Sequence, residues 1–249
     1  MATKVSRIQL PEEAHSPRFL SIGPRGAKGH APENTLLSFA TAINLGAHMI
    51  ELDIQRLGDS LLVFHDCRLE RTTNGKGRLQ DQDLLSVRNL DAGRGERIPT
   101  LEEVINLVDR RVPINIEIKS GGGTTELLIT LLQRFLDAGW AAEDFLVSSF
   151  LHTELARFAK ALPQIRIGVL IGGVPTNLAQ AAEDLGAWSL HLEADFADPQ
   201  MLADARRRGL KVFVHTVNQR EEIEFWRGAG IAGVFTDYPE RAVFLESAA

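Results

Sequence analysis

The sequence predicts an α/β fold, a TIM (β/α)8 barrel with a β-hairpin extension after its second strand. Short apolar strands alternate with amphipathic helices at intervals of about 25 residues. Eight such units fill the 249 residues, which matches the usual size of a TIM barrel. A doubly wound open sheet is the competing fold, and it is disfavoured because no Gly-x-Gly-x-x-Gly turn follows the first strand.

The strands are predicted from runs of β-branched and other apolar residues that end at turn signals. The eight barrel strands are predicted at 19–23, 49–54, 114–119, 145–150, 166–170, 188–193, 211–217 and 232–237. The preceding residues are polar and interrupted by proline, so we expect a surface tail at 1–18 and a single barrel domain at 19–249.

The helices are predicted from apolar residues at helical spacing. One covers 35–45, another begins with a capping box at Thr100, and a third covers 124–138. Glycines end several of the remaining helices. The stretch at 68–97 is irregular, which predicts a long active-site loop containing a short helix near Leu84.

The second predicted strand carries two acids and leads into a histidine. Glu51 and Asp53 stand two residues apart, so the two-residue period of a strand points both carboxylates at the same face. Gly58 and Asp59 lie in the middle of the short connection that follows, which predicts a hairpin with its return strand at 61–65. This hairpin brings His65 beside Glu51, to within one or two positions of register.

Charged residues follow the ends of several predicted strands. Arg25 follows the first, Glu51 and Asp53 end the second, and Glu117 and Lys119 end the next barrel strand. Functional groups of TIM barrels lie at the C-terminal strand ends, so we expect these five side chains to converge. Three carboxylates are hard oxygen ligands, which predicts one divalent cation, Mg2+ or Ca2+. Structural ion pairs with neighbouring Arg and Lys side chains are the alternative.

The remaining candidate groups suit a phosphate ester. Arg25 offers a guanidinium fork for two phosphate oxygens, and Lys119 offers a point charge. His65 is the candidate proton donor to a leaving alkoxide, because imidazole titrates near neutral pH and Asp66 could orient it. Three glycine clusters could present backbone amides to a phosphate, although turns and helix ends are their commoner role; they lie at 121–123, 172–173 and 228–233.

The composition excludes several classes of protein. The formal net charge is -6, and no stripe of basic residues occurs, which argues against a nucleic-acid partner. No run of about 18 apolar residues occurs, and the first residues lack a signal-peptide core, so we expect a cytoplasmic protein without membrane insertion. Cys67 is the single cysteine, which excludes an internal disulfide. The oligomeric state stays open.

Several motifs together resemble those of the glycerophosphodiester phosphodiesterase family. They occur in the order APENT, ELD, FHD, RTTNG and EIK, and the similarity covers about residues 21 to 239. The resemblance implies a phospholipase-C-like barrel that hydrolyses deacylated phospholipids to sn-glycerol 3-phosphate and an alcohol, using a divalent cation. By position, it implies metal ligands at Glu51, Asp53 and Glu117, phosphate-binding side chains at Arg25 and Lys119, and a catalytic histidine at His65.

Two positions depart from the pattern of that family. The family opens with His-Arg-Gly, whereas this chain has Pro24-Arg25-Gly26, so one of two acid/base histidines is missing. Such a loss typically costs about 10²–10⁴-fold in rate, which predicts retained binding with slowed turnover. The second departure is His215, where the family usually has a tryptophan that lines the substrate pocket. It leaves the choice of alcohol open.

Three accounts of Pro24 remain open. His30, in the same loop, could replace the missing histidine. The protein could be a relative that binds glycerophosphodiesters without fast turnover. Alternatively, Pro24 could be an artefact or a variant, since histidine and proline codons can differ by one base. Among other functions, a TIM-barrel isomerase or lyase for a phosphorylated sugar is disfavoured, because it would need no pair of strand-end acids beside a hairpin histidine.

Overall fold

The structure is a computed structural model that describes residues 19–243 and contains a closed barrel of eight parallel strands with helices around it. The strands are β1 (Leu20–Pro24), β2 (Met49–Leu57), β3 (Ser60–Val63), β4 (Ile114–Ile118), β5 (Phe145–Ser149), β6 (Arg166–Ile171), β7 (Ser189–Glu193), β8 (Lys211–His215) and β9 (Gly233–Phe235). All except β3 form the barrel, which closes where β1 pairs with β9 on one side and β2 on the other. The predicted TIM barrel is confirmed.

Helices follow the strands along the chain. They are α1 (Leu36–Asn44), α2 (Leu84–Arg88), α3 (Leu101–Val108), α4 (Thr124–Asp137), α5 (His152–Ala161), α6 (Gln180–Asp184), α7 (Pro199–Arg207), α8 (Arg220–Gly228) and α9 (Pro239–Val243). Short 3-10 turns cover Leu79–Asp81, Ala142–Asp144 and Ala194–Phe196. The predicted capping box opens α3, where Thr100 accepts from the Glu103 N–H and donates its own N–H to the Glu103 carboxylate at 2.7 Å.

The limits of the described chain restrict two expectations. The predicted tail at 1–18 lies outside the described residues, and so do residues 244–249. The boundaries of the domain therefore stay a prediction. None of the helices within 19–243 has both the length and the apolar character needed to cross a bilayer.

The barrel has an apolar floor and a polar mouth. Six buried side chains form a separate cluster below the mouth, and one of them, Phe235 at the end of β9, also lines the cavity above; the six are Leu20, Ile22, Met49, Leu146, Phe213 and Phe235. Inward positions recur every second residue along a strand. The next inward residues on β2, β5 and β8 are Glu51, Ser148 and His215, which line a cavity at the C-terminal strand ends.

The connection between the two hairpin strands is shorter than predicted, because β2 ends at Leu57 and β3 begins at Ser60. β2 and β3 pair antiparallel with Ile54 opposite Val63, and the register brings His65 near Leu52, one position from the prediction. The prediction that the return strand extends to His65 was wrong, since β3 ends at Val63. The side-chain amide of Gln55 takes over there, donating to the carbonyls of residues 64, 65 and 66 at 3.1, 3.1 and 2.7 Å.

The long loop after the hairpin has its own small core. Buried apolar side chains from the hairpin and the loop pack together there: Leu57, Leu62, Phe64, Leu69, Leu79, Val87, Ala92 and Ile98. The short helix predicted near Leu84 is α2. Because the loop is packed rather than loose, it can hold side chains at fixed positions above the barrel mouth.

Candidate active site

Three carboxylates from two neighbouring strands form the centre of the site. Glu51, Asp53 and Glu117 are 6%, 1% and 8% exposed, and each offers an oxygen that lies within 4.8 Å of those of the other two. The register explains this proximity, because Asp53 on β2 lies directly opposite Glu117 on β4. This spacing, with hard oxygen ligands alone, is consistent with a site for a divalent cation.

The electrostatics of the cluster favour a bound cation. Burial, followed by the charges of Asp53 and Glu117, raises the pKa of Glu51 well above its ordinary value. Burial and the charge of Asp53 likewise raise the pKa of Glu117 to about 7. Like charges held this close need either protons or positive charge. A divalent cation among the three carboxylates would satisfy all of them at once.

Arg25 and Lys119 supply part of that positive charge. The Arg25 Nε lies 3.0 Å from Asp53, and the Lys119 Nζ lies 2.8 Å from Glu117 and 3.6 Å from Asp53. The Arg25 backbone N–H also donates to Glu51 at 3.0 Å. The ion pairs expected under the structural alternative are therefore present. Arg25 and Lys119 nevertheless also line the cavity, where an anion could bind them.

His65 lies on the hairpin side of the same cavity. Its Nδ1 lies 2.6 Å from the Asp66 carboxylate, which leaves Nε2 as the ring nitrogen available to a ligand. Burial lowers the pKa of His65, while the charge of Asp53 and the hydrogen bond to Asp66 oppose that effect. The Asp66 carboxylate therefore orients the His65 imidazole, as expected from the sequence.

A second set of contacts, made by Glu33 and Arg71, connects Arg25 to the Asp66–His65 pair. The sequence analysis did not predict these contacts. Glu33 accepts from Arg25 at 2.9 Å and from both terminal nitrogens of Arg71 at 2.8 Å. Arg71 also donates to Asp66 at 2.5 and 2.9 Å. Its hydrogen bond is the main reason why the pKa of Asp66 falls to about 2. A continuous path of polar contacts therefore runs from Arg25 to His65.

The motifs APENT, FHD and RTTNG meet in this path. Glu33 and Asn34 belong to the first, and Asn34 donates to Asp53 at 3.0 Å. Asp66 belongs to the second and Arg71 to the third. The motifs themselves were the only sequence signal for these residues, and they gave no indication of which side chains touch.

The cavity has an empty volume of about 690 Å³, its open mouth included. Pro24 and His215 line it together with the carboxylates, the two cations and His65. His30 does not line it: its Nε2 lies 3.1 Å from Glu240, and its ring stacks edge-on against Tyr238. The glycine clusters do not line it either, and Cys67 is an exposed thiol.

The comparison with known proteins identifies the family. Residues 25–241 match the model of the glycerophosphoryl diester phosphodiesterase family. The chain belongs to this family. Its similarity to a glycerophosphodiester phosphodiesterase of Caldanaerobacter subterraneus is 37% identity, over 92% of this chain and 98% of that protein. A Bacillus subtilis glycerophosphodiester phosphodiesterase is 31% identical over 96% of this chain and 90% of its own.

A solved structure supports the same assignment. The chain is similar to a phosphodiesterase of Oleispira antarctica, solved in complex with its product sn-glycerol-3-phosphate. The TM-score is 0.82 at 32% identity, and the alignment covers 92% of this chain and 96% of that one. The family resemblance read from the motifs is thereby confirmed, and with it the assignment to a family of phosphodiester hydrolases.

Proposed function

We propose that this chain hydrolyses glycerophosphodiesters to sn-glycerol 3-phosphate and an alcohol, in a reaction that requires one divalent cation, Mg2+ or Ca2+. The observation that carries the proposal is the meeting of three carboxylates, two cations and a carboxylate-oriented imidazole in one cavity. The product bound to the Oleispira antarctica relative supports the substrate class.

The carboxylates of Glu51, Asp53 and Glu117 would hold the cation. Their raised pKa values and their oxygen-only chemistry fit a hard divalent ion. When bound, such an ion polarises the phosphoryl oxygens and stabilises the charge that develops on them. Arg25 and Lys119, which flank the carboxylates, would bind the remaining phosphate oxygens and fix the diester between them.

His65 would donate a proton to the leaving alcohol oxygen. Asp66 holds Nδ1, so Nε2 is the nitrogen that faces the substrate and carries the transferred proton. His215 would contact the substrate on the opposite side of the mouth. Pro24 contributes no ionisable group, so we expect turnover slower than that of an enzyme with both histidines.

The second candidate function is a catalytically impaired relative that binds glycerophosphodiesters without fast turnover. Pro24 is the observation that favours it, because binding groups are present where one proton-transfer group is absent. The two candidates differ in kcat and agree in affinity.

Cleavage of glycerophosphocholine and glycerophosphoethanolamine, with Mg2+ or Ca2+, tests both candidates. The wild-type chain should release sn-glycerol 3-phosphate, and Pro24→His should raise kcat at least tenfold. His30→Gln is the matched control, because His30 lies outside the cavity. Calorimetric titration with sn-glycerol 3-phosphate in Ca2+ should give the same affinity for all three proteins. Binding without cleavage in both the wild type and Pro24→His would favour the impaired relative.

A further inference from the structure

A second imidazole lines the cavity from the far side of the barrel. His215 is the last residue of β8 and faces inward, two residues beyond Phe213 of the apolar floor. Its ring meets Phe235 edge-on, with centroids 5.9 Å apart. Its Nε2 is buried and has no hydrogen-bond partner among residues 19–243. The ring is thus packed in place with one nitrogen uncommitted.

The surroundings of His215 keep its ring neutral. Burial, followed by the positive charges of Lys119, Lys28 and Arg25, lowers the pKa of His215 to about 4. On β7, Glu193 is its partner in register and His191 lies one inward position deeper. At neutral pH the imidazole is therefore unprotonated, and one of its ring nitrogens can accept a proton.

Substrate binding would make His215 a better base. Lys119, Lys28 and Arg25, whose charges disfavour protonation of His215, line the cavity that an anionic diester would enter. The negative charge of the diester would offset their effect on the ring. The basicity of the ring would then rise towards that of an ordinary imidazole at the moment when a proton has to be removed.

The other groups of the cavity do not fit this role. His65 is assigned to the leaving group. His191 is fully buried below the mouth; its Nε2 is engaged with the Ser189 hydroxyl at 2.8 Å, and its Nδ1, which has no hydrogen-bond partner among residues 19–243, is also buried. Pro24 cannot accept a proton. Among the imidazoles that line the described cavity, His215 is thus the one that combines an unpartnered nitrogen with a position at the level of the mouth and no assigned role.

We propose that His215 is the general base that removes the proton from the attacking hydroxyl, a catalytic role that Pro24 cannot fill. The inference rests on the proposed function. The attacking oxygen, from water or from the glycerol hydroxyl of the substrate, bonds to phosphorus while its proton passes to the unprotonated ring nitrogen of His215. The phosphorus–oxygen bond to the alcohol breaks, and that oxygen takes its proton from His65. Exchange with solvent then restores both rings.

A double-mutant cycle between positions 24 and 215 tests the inference. In the natural background, His215→Gln should lower kcat about 10²-fold with KM changed less than about threefold. In the Pro24→His background, the same substitution should lower kcat less than about threefold, since a second base is then present. His215→Trp, which introduces the residue implied by the family resemblance, should follow the same pattern and serves if His215→Gln does not fold. His30→Gln is again the control.

The outcomes separate the failure of this inference from that of the proposed function. An unchanged kcat for His215→Gln, or an equal loss in both backgrounds, would assign the ring a packing role and overturn the inference. An inactive wild type with an active Pro24→His variant would also overturn it, and would leave the substrate class intact. Inactivity of both would contradict the proposed function itself. Restoration of His215→Gly by added imidazole would support proton transfer directly.

Discussion

Arg71 should control the rate although it lies outside the cavity lining. It holds the Asp66 carboxylate, which orients His65, and the Glu33 carboxylate, which contacts Arg25. We therefore predict that Arg71→Gln lowers kcat about 10–100-fold, the range typical for partners of functional groups. This loss corresponds to about 1.4–2.8 kcal/mol of barrier.

The magnitude follows from the contacts that the substitution removes. Four hydrogen bonds between 2.5 and 2.9 Å link Arg71 to the two carboxylates. Without them, the pKa of Asp66 rises from about 2 towards its ordinary value, and Asp66 holds His65 less firmly. The Arg71 side chain is 47% exposed, so water compensates much of the lost pairing, and the free energy of unfolding should change by less than about 1 kcal/mol.

Steady-state hydrolysis of glycerophosphocholine, together with urea unfolding, measures both quantities. Arg68→Gln is the matched control, because Arg68 is in the same loop and its guanidinium pairs with Glu70 at 2.6 Å. Asp66→Asn should lower kcat similarly, and the double variant should be little worse than either single one. The reasoning would be refuted if Arg71→Gln kept the wild-type kcat, or if its loss added fully to that of Asp66→Asn.

Three further predictions concern the metal site, acid stability and one turn. Glu51→Gln should abolish cation-dependent turnover and weaken Ca2+ binding measured by calorimetry. Burial lowers the pKa of His191 to about 3, so the unfolded state binds more protons than the folded state below pH 6.5. The free energy of unfolding should therefore fall as the pH drops. His191→Gln should make this fall smaller, as measured by urea unfolding at pH 7 and pH 5. Gly26→Ala should destabilise by about 2 kcal/mol or more, because a Cβ would lie 2.4 Å from the Ser38 Oγ, whereas Gly186→Ala, with open space, should cost about 1.

The central acids could be predicted because strand periodicity is local. Glu51 and Asp53 share a face whatever the rest of the chain does, since alternation is a property of the extended backbone. Glu117 required one more step, the rule that parallel barrel strands end at a common mouth. That rule relates strands through their order alone, so no detailed packing had to be known. The observed opposition of Asp53 and Glu117 follows from the resulting register.

The connecting path could not be predicted in the same way. Glu33 and Arg71 are 38 residues apart, and neither lies in a periodic element. Their contact depends on how the long loop folds over its own apolar core, and no local pattern encodes that packing. The end of β3 was misplaced for a related reason. A single Gln55 side chain competes with the strand ladder for three carbonyls, and strand propensity contains no information about such competition.

The mouth of a barrel makes acid/base groups exchangeable between strands. A proton acceptor must reach the attacking oxygen, and each inward residue at a strand's C-terminal end faces the same cavity. Pro24 on β1 and His215 on β8 are separated by 191 positions along the chain, yet both line the space around the carboxylates. The slow turnover expected from Pro24 considers β1 alone and leaves out a proton acceptor on another strand. Because His215 is a weaker base than an ordinary imidazole, supplying the proton acceptor from β8 should restore part of the lost rate, and Pro24→His should still accelerate the enzyme.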